Sequence, residues 1–240
     1  MVDRLAKQGV YIITGGYGSG KTEVAINYAA YLAGQDSSSP SSTSLIDLDI
    51  VNLYFRSREV RSSFAQRGIR VLSSVEKFEM ADVPSLSPAI SAALQDRSQA
   101  VVVDVGGDPV GATVLGRYNP YLKQRGYQFF MVVNPYRPFT AKPEDVAALA
   151  SEIEQASRLR ITALVSNPNL SGETTLEDIR VGHEAVRACA ERMGLPIEFL
   201  AVMERLAGEI TRDSHGGLAE GWLGGVPIFP LKLYMQMPWA

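Results

Sequence analysis

The stretch that decides the fold is Gly15-Gly16-Tyr17-Gly18-Ser19-Gly20-Lys21-Thr22. Before it runs Val10-Tyr11-Ile12-Ile13-Thr14, an apolar segment that reads as a buried strand. After it, Glu23 to Ala33 reads as a helix closed by Gly34. Strand, G-x-x-x-x-G-K-[ST], helix is the arrangement of a phosphate-binding P-loop. Glycines let backbone N–H groups converge on phosphate oxygens where side chains would clash. The helix N-terminus adds orphan donors and partial positive charge. In this pattern Gly15, Gly16, Tyr17, Gly18, Ser19, Gly20 and the first helical residues through Glu23 wrap the phosphates. Lys21 reaches the β/γ-phosphates, and the Thr22 hydroxyl holds Mg²⁺.

A second signal lies at Ala100-Val101-Val102-Val103-Asp104-Val105-Gly106-Gly107. Small apolar residues ending in an acid read as a buried parallel strand that delivers a carboxylate to its C-terminal edge. That is the Walker B pattern, in which the acid orients Mg²⁺ or its water shell. Gly107 is placed to donate a backbone N–H to a γ-phosphate. A third segment, Ser44-Leu45-Ile46-Asp47-Leu48-Asp49, reads as a strand ending in two acids. Ligands of open α/β sheets bind at that end of the strands.

Further strands are expected at Ile69–Leu72, Tyr127–Val133, Arg160–Ser166 and Pro196–Val202. Helices are expected from Pro88 to about Arg97, over residues 109 to 125 with breaks at Gly116 and Pro120, and from Pro143. A last helix is expected up to Met193, with Thr174 and Glu177 as its capping box and Gly194 as its stop. Strands alternating with helices predict an α/β P-loop NTPase: three α/β/α layers around a mostly parallel sheet. Residues 35 to 43 and 73 to 88 read as loops.

The chain has 240 residues, 20% of them charged, with a net charge of −3, so electrostatics give no reason to expect nucleic acid. No shift in composition divides it, which points to one domain over residues 1–240. Cys189 is the one cysteine, which excludes an intrachain disulfide and a C-x-x-C site. His183 and Cys189 read as packed helix residues six positions apart, not as a catalytic pair. There is no signal-peptide core and no apolar run near the roughly 18 residues a membrane helix needs, so the expected location is the cytoplasm. Arginines crowd residues 56 to 70.

Taken together, the motifs resemble the CobQ/CobB/MinD/ParA nucleotide-binding proteins, a branch of the SIMIBI class of P-loop NTPases. The resemblance rests on Gly15–Thr22, Asp47-Leu48-Asp49-Ile50, Val103-Asp104-Val105-Gly106-Gly107 and the strand ending in Ser166-Asn167. It implies an ATP-binding Mg²⁺-dependent ATPase that acts as a switch on a protein partner. It implies Lys21, Asp49 and Asp104 as catalytic residues, with Asp49 orienting the attacking water. Thr22, Asp47 and Asp104 would serve the metal, Gly107 would be the switch II glycine, and Asn167 would read adenine. The absence of an Asn-Lys-x-Asp guanine reader agrees with ATP.

One departure stands out. Relatives that form a nucleotide-sandwiched homodimer carry a second lysine five residues before the invariant one, and here that position is Gly16. Arg56, Arg58, Arg117 and Arg137 are the candidate replacements, and the sequence selects none of them. The MinD-type membrane-targeting helix and the paired cysteines of metal-handling relatives are absent from this sequence. Two other readings stay open: an ATP-dependent enzyme working on a small acceptor, and a nucleotide-binding module that does not hydrolyse.

Overall fold

The computed structural model describes residues 9–35, 43–49, 58–73, 87–214 and 223–235. Eight strands form one sheet: β1 (Val10–Thr14), β2 (Thr43–Asp47), β3 (Ile69–Ser73), β4 (Ala100–Asp104), β5 (Gln128–Val133), β6 (Ala163–Ser166), β7 (Ile197–Met203) and β8 (Ile228–Leu231). Their order is β3-β2-β4-β1-β5-β6-β7-β8, and every pair is parallel. The sheet is therefore wholly, not mostly, parallel.

Helices cover both faces, as parallel strands with apolar residues on both sides require. They are α1 (Lys21–Gln35), α2 (Arg58–Ala65), α3 (Pro88–Gln95), α4 (Pro109–Gly116), α5 (Asn119–Arg125), α6 (Pro143–Ser157), α7 (Leu176–Met193) and α8 (Glu204–Ser214). Alternation along β1 divides the core. Tyr11 and Ile13 pack with Val24, Ile26, Tyr28 and Leu32 of α1 and with Phe64 of α2. Val10 and Ile12 face the other layer, with Ile90, Leu94, Leu115, Leu122, Val146, Ile153 and Val186 from α3 to α7. A smaller cluster joins Leu200 and Val202 of β7 to Ile179 of α7 and Leu206 and Ile210 of α8.

The differences from the expected elements have local causes. The α7 capping box is Thr175 with Asp178, one residue later than expected, because the Thr174 hydroxyl is used by the preceding turn at Leu170 and Ser171. Glu177 instead pairs with Arg180. Residues 160–162 precede β6 and are not part of it, and α3 stops at Gln95 where Asp96 turns extended. Helix α8 and strand β8 were not anticipated from the sequence. The expected loops at 36–42 and 74–86, and Arg56, lie outside the described residues.

The order of strands positions the site. Chain progression reverses at β1: β4, β2 and β3 lie to one side, and β5 onward to the other. Such a switch point opens a crevice at the C-terminal ends of the strands. In the register, Ile13 pairs with Asp104 and Asp104 with Asp47, so the acids of β4 and β2 stand side by side next to the end of β1.

Tyr28 lies at the centre of an aromatic cluster with Tyr11, Phe130, Phe199 and Phe229. Its hydroxyl is buried without a hydrogen-bond partner, a costly state for a polar group. Tyr28→Phe is expected to raise stability by about 1 kcal/mol in chemical denaturation; a clear loss would show that the hydroxyl is satisfied in solution.

Candidate functional site

The loop between β1 and α1 is held from three directions. Ser19 N–H donates to Gly16 O at 3.0 Å, closing its turn. From the β6 side, Asn167 Nδ2 donates to Ser19 O at 2.7 Å. From the β5 side, Arg137 Nε donates to Gly18 O at 3.1 Å. Gly20 has a φ of +86°, and a Cβ there would sit 2.5 Å from Asn167 Nδ2, so the Asn167 brace requires glycine. Gly107 packs so closely on the loop that a Cβ would fall inside the carbonyl oxygen of Gly15.

Lys21 opens α1 and turns its ammonium toward the strand ends. Its Nζ is 2.6 Å from Asp49 Oδ2. Burial works against its charge, but Asp104, Asp49 and Asp47 outweigh that and raise its pKa. Asp47 Oδ1 accepts the Asp49 backbone N–H at 3.0 Å, which fixes the two acids relative to each other.

Asp104 is fully buried. Burial pushes its pKa up to about 6, while Lys21 and the Thr22 hydroxyl pull the other way and Asp49 adds to the rise. Neither of its carboxylate oxygens has a hydrogen bond of good geometry, and the Ser19 hydroxyl and Asn167 Oδ1 are likewise buried and unpartnered. Native interiors rarely tolerate so many unpaired polar atoms together. Their convergence on one loop suits a polar ligand and a hard cation. No group of three His, Cys, Asp or Glu placed to hold a metal exists among the described residues.

The structure thus brings Gly15 to Thr22, Asp47, Asp49, Asp104, Gly107 and Asn167 to one edge of the sheet. The side chains of two expected ligands point elsewhere. The Tyr17 side chain is 87% exposed, leaving only its backbone to face the loop. Glu23, one step beyond Thr22, is rotated by about 100° round the helix. Its carboxylate accepts the backbone N–H groups of Tyr234 and Met235 at 2.9 and 2.6 Å. On the same helix Asn27 exchanges two hydrogen bonds with Lys232. This clamp was not anticipated from the sequence; the only signal was two polar residues on the inner side of an otherwise apolar helix. Arg117 caps the far end of α4. His183 is buried with Nδ1 at 3.0 Å from Ser166 Oγ, and Cys189 lies on the buried face of α7.

No protein-family model and no curated relative matches the sequence. Solved structures do match the fold. The cell division protein FtsY of Thermotoga maritima superposes with a TM-score of 0.51 at 18% identity, over 81% of this chain and 62% of that one. Chloroplast FtsY of Physcomitrella patens gives 0.54 at 17% identity, over 82% and 59%. The fold they share with this chain is the three-layer α/β/α fold of P-loop NTPases. The chain spans less than two thirds of the length of either FtsY. The likeness to this P-loop class does not select the CobQ/CobB/MinD/ParA branch within it.

Two expectations follow. Gly107→Ala forces apart two backbone segments and is expected to destabilise the protein by at least about 2 kcal/mol, read as a fall in melting temperature. Asp104 has a raised folded-state pKa, so the folded state binds its proton more tightly than the unfolded state. The stability this contributes is complete below about pH 4 and is lost as pH rises through about 6. In metal-free and nucleotide-free protein, Asp104→Asn should therefore stabilise more at pH 7.5 than at pH 4.5; an equal effect at both would contradict the burial of this charge.

Proposed function

We propose that the chain is a Mg²⁺-dependent ATP-binding switch, a slow ATPase that acts on a protein partner and belongs to the CobQ/CobB/MinD/ParA branch without its second lysine. The observation that carries this reading is the braced P-loop with Lys21 on Asp49, beside the unpartnered carboxylate of Asp104.

Thr22 and Asp104 would hold Mg²⁺, with Asp47 beside its water shell, and the ion would neutralise charge on the phosphate oxygens. The loop amides from Gly15 to Thr22 bind and orient the phosphates. On binding, Lys21 exchanges Asp49 for phosphate oxygens. Asp49 is thereby freed to orient the attacking water in line with the bond to be broken. Gly107, seated on Gly15, would register the γ-phosphate through its N–H, so its displacement would carry the nucleotide state into α4.

Adenine is favoured by the state of Asn167. One of its two Nδ2 donors is used by Ser19 O, and its Oδ1 is a buried acceptor without a partner among the described residues. An acceptor suits the exocyclic amine of adenine and opposes the O6 of guanine. A protein partner is favoured by exposed large apolar side chains on the segments that follow three of the strands: Tyr17 at 87% after β1, Val110 at 71% in the first turn of α4 and Phe139 at 72% in the 3-10 turn after β5. No helix among the described residues is long and apolar enough to cross a membrane, which is compatible with action in the cytoplasm.

The test is calorimetric titration with ATP and GTP in the presence of Mg²⁺, together with a phosphate-release assay. ATP is expected to bind, with slow hydrolysis, and Lys21→Ala should weaken binding by at least about 100-fold. A chain that binds neither nucleotide would overturn the reading, and a preference for GTP would overturn the assignment of the base.

A further inference from the structure

Resting on the nucleotide reading, we propose that Arg137 is the second phosphate-binding cation of the loop. Lys21 is one ammonium facing Asp47, Asp49 and Asp104, so the protein's own charges at the strand ends already favour the negative side. A triphosphate adds several more negative charges. Lys21 and one helix N-terminus, worth about half a charge, leave that excess largely unbalanced. Gly16, near the loop's start, supplies no charge.

Arg137 is the cation that the fold sets against the tip of the loop. Its Nε holds Gly18 O, and its Nε, Cδ and Cζ lie 3.2, 3.4 and 3.7 Å from where a Gly18 Cβ would project. A guanidinium has five N–H donors in a planar fork. Only the Nε donor is used among the described residues, which leaves both terminal amino groups for phosphate oxygens.

The loop that presents it is stiff before any ligand arrives. Asn134 Oδ1 accepts the Tyr136 N–H, Thr140 Oγ1 donates to Asn134 O at 2.6 Å, and the Tyr136 hydroxyl donates to Asp178 O at 2.6 Å. Pro135 and Pro138 flank the arginine. A cation held this way loses little freedom on binding an anion. Arg117 is excluded by placement: α4 starts near the acids and runs eight residues before it reaches Arg117, a distance of about 12 Å.

The decisive variant is Arg137→Gln, whose amide can still donate to Gly18 O but carries no charge. Calorimetry of wild type, Arg137→Gln and Arg137→Lys with Mg-ATP, at low and physiological salt, separates charge from bracing. Arg137→Gln is expected to weaken ATP binding by at least about 10-fold and to flatten its salt dependence. Arg137→Lys should recover most of the affinity, and the melting temperature without nucleotide should stay unchanged in both variants. Unchanged ATP affinity in Arg137→Gln overturns the proposal, as does a loss that is equal at low and physiological salt, which would mean that charge is not what Arg137 supplies. Wild-type protein that binds no nucleoside triphosphate fails the functional reading itself and takes the proposal with it.

Discussion

One ammonium against three carboxylates is the constraint on which this site depends. Lys21 can occupy its buried position only because Asp49 meets it at 2.6 Å and Asp104 and Asp47 add their fields. The acids in turn depend on Lys21, since removal of a buried ion's partner leaves a charge whose desolvation is uncompensated. The architecture exists to make that meeting happen. β4 is inserted between β1 and β2, so the loop after β1 lies next to two strands that each end in an aspartate. Without that insertion the strand that carries Asp104 would not lie beside β1, whose following loop leads to Lys21.

The parts of the site that were legible in the sequence are those whose cause is local. An apolar run, a glycine-rich turn and a lysine at a helix start can be read together because they are contiguous. Asp104 stands out because four small apolar residues precede it. The resemblance implied a role for Asn167, but what the residue touches depends on Ser19, 148 positions earlier. Arg137 was one of four candidates in the sequence. Its contact with Gly18, across 119 positions, sets it apart from Arg117. The order of the strands was equally hidden, because parallel pairing is decided by crossovers and not by neighbours in the chain.

The capping of α7 shows the same limit at short range. Thr174 and Thr175 each have an acid three residues on, Glu177 and Asp178, so both offer the pattern of a capping box. The choice between them falls to the turn at Leu170–Ser171, which takes the Thr174 hydroxyl for itself. A side chain engaged as both donor and acceptor in one turn cannot also serve the next helix. Glu23 follows a similar logic. Its place in the motif pointed to phosphate, but the helical rotation beyond Thr22 gave it to Tyr234 and Met235.

That clamp between α1 and residues 232–235 bears on how the chain reaches its native state. Asn27 and Glu23 find their partners 205 to 212 positions later. Tyr234, tilted against Phe64 and under the Arg67 guanidinium, draws the end of α2 into the same contact. During synthesis the phosphate loop and its helix therefore leave the ribosome long before the segment that completes their packing. Until then Glu23 and Asn27 lack the partners that residues 232–235 supply. Contacts of such separation are slow to form because the loop they close must first lose its freedom. The candidate site is thus early in the chain but late in assembly, and a nascent chain stalled before β8 would carry the motif without the support that belongs beneath it.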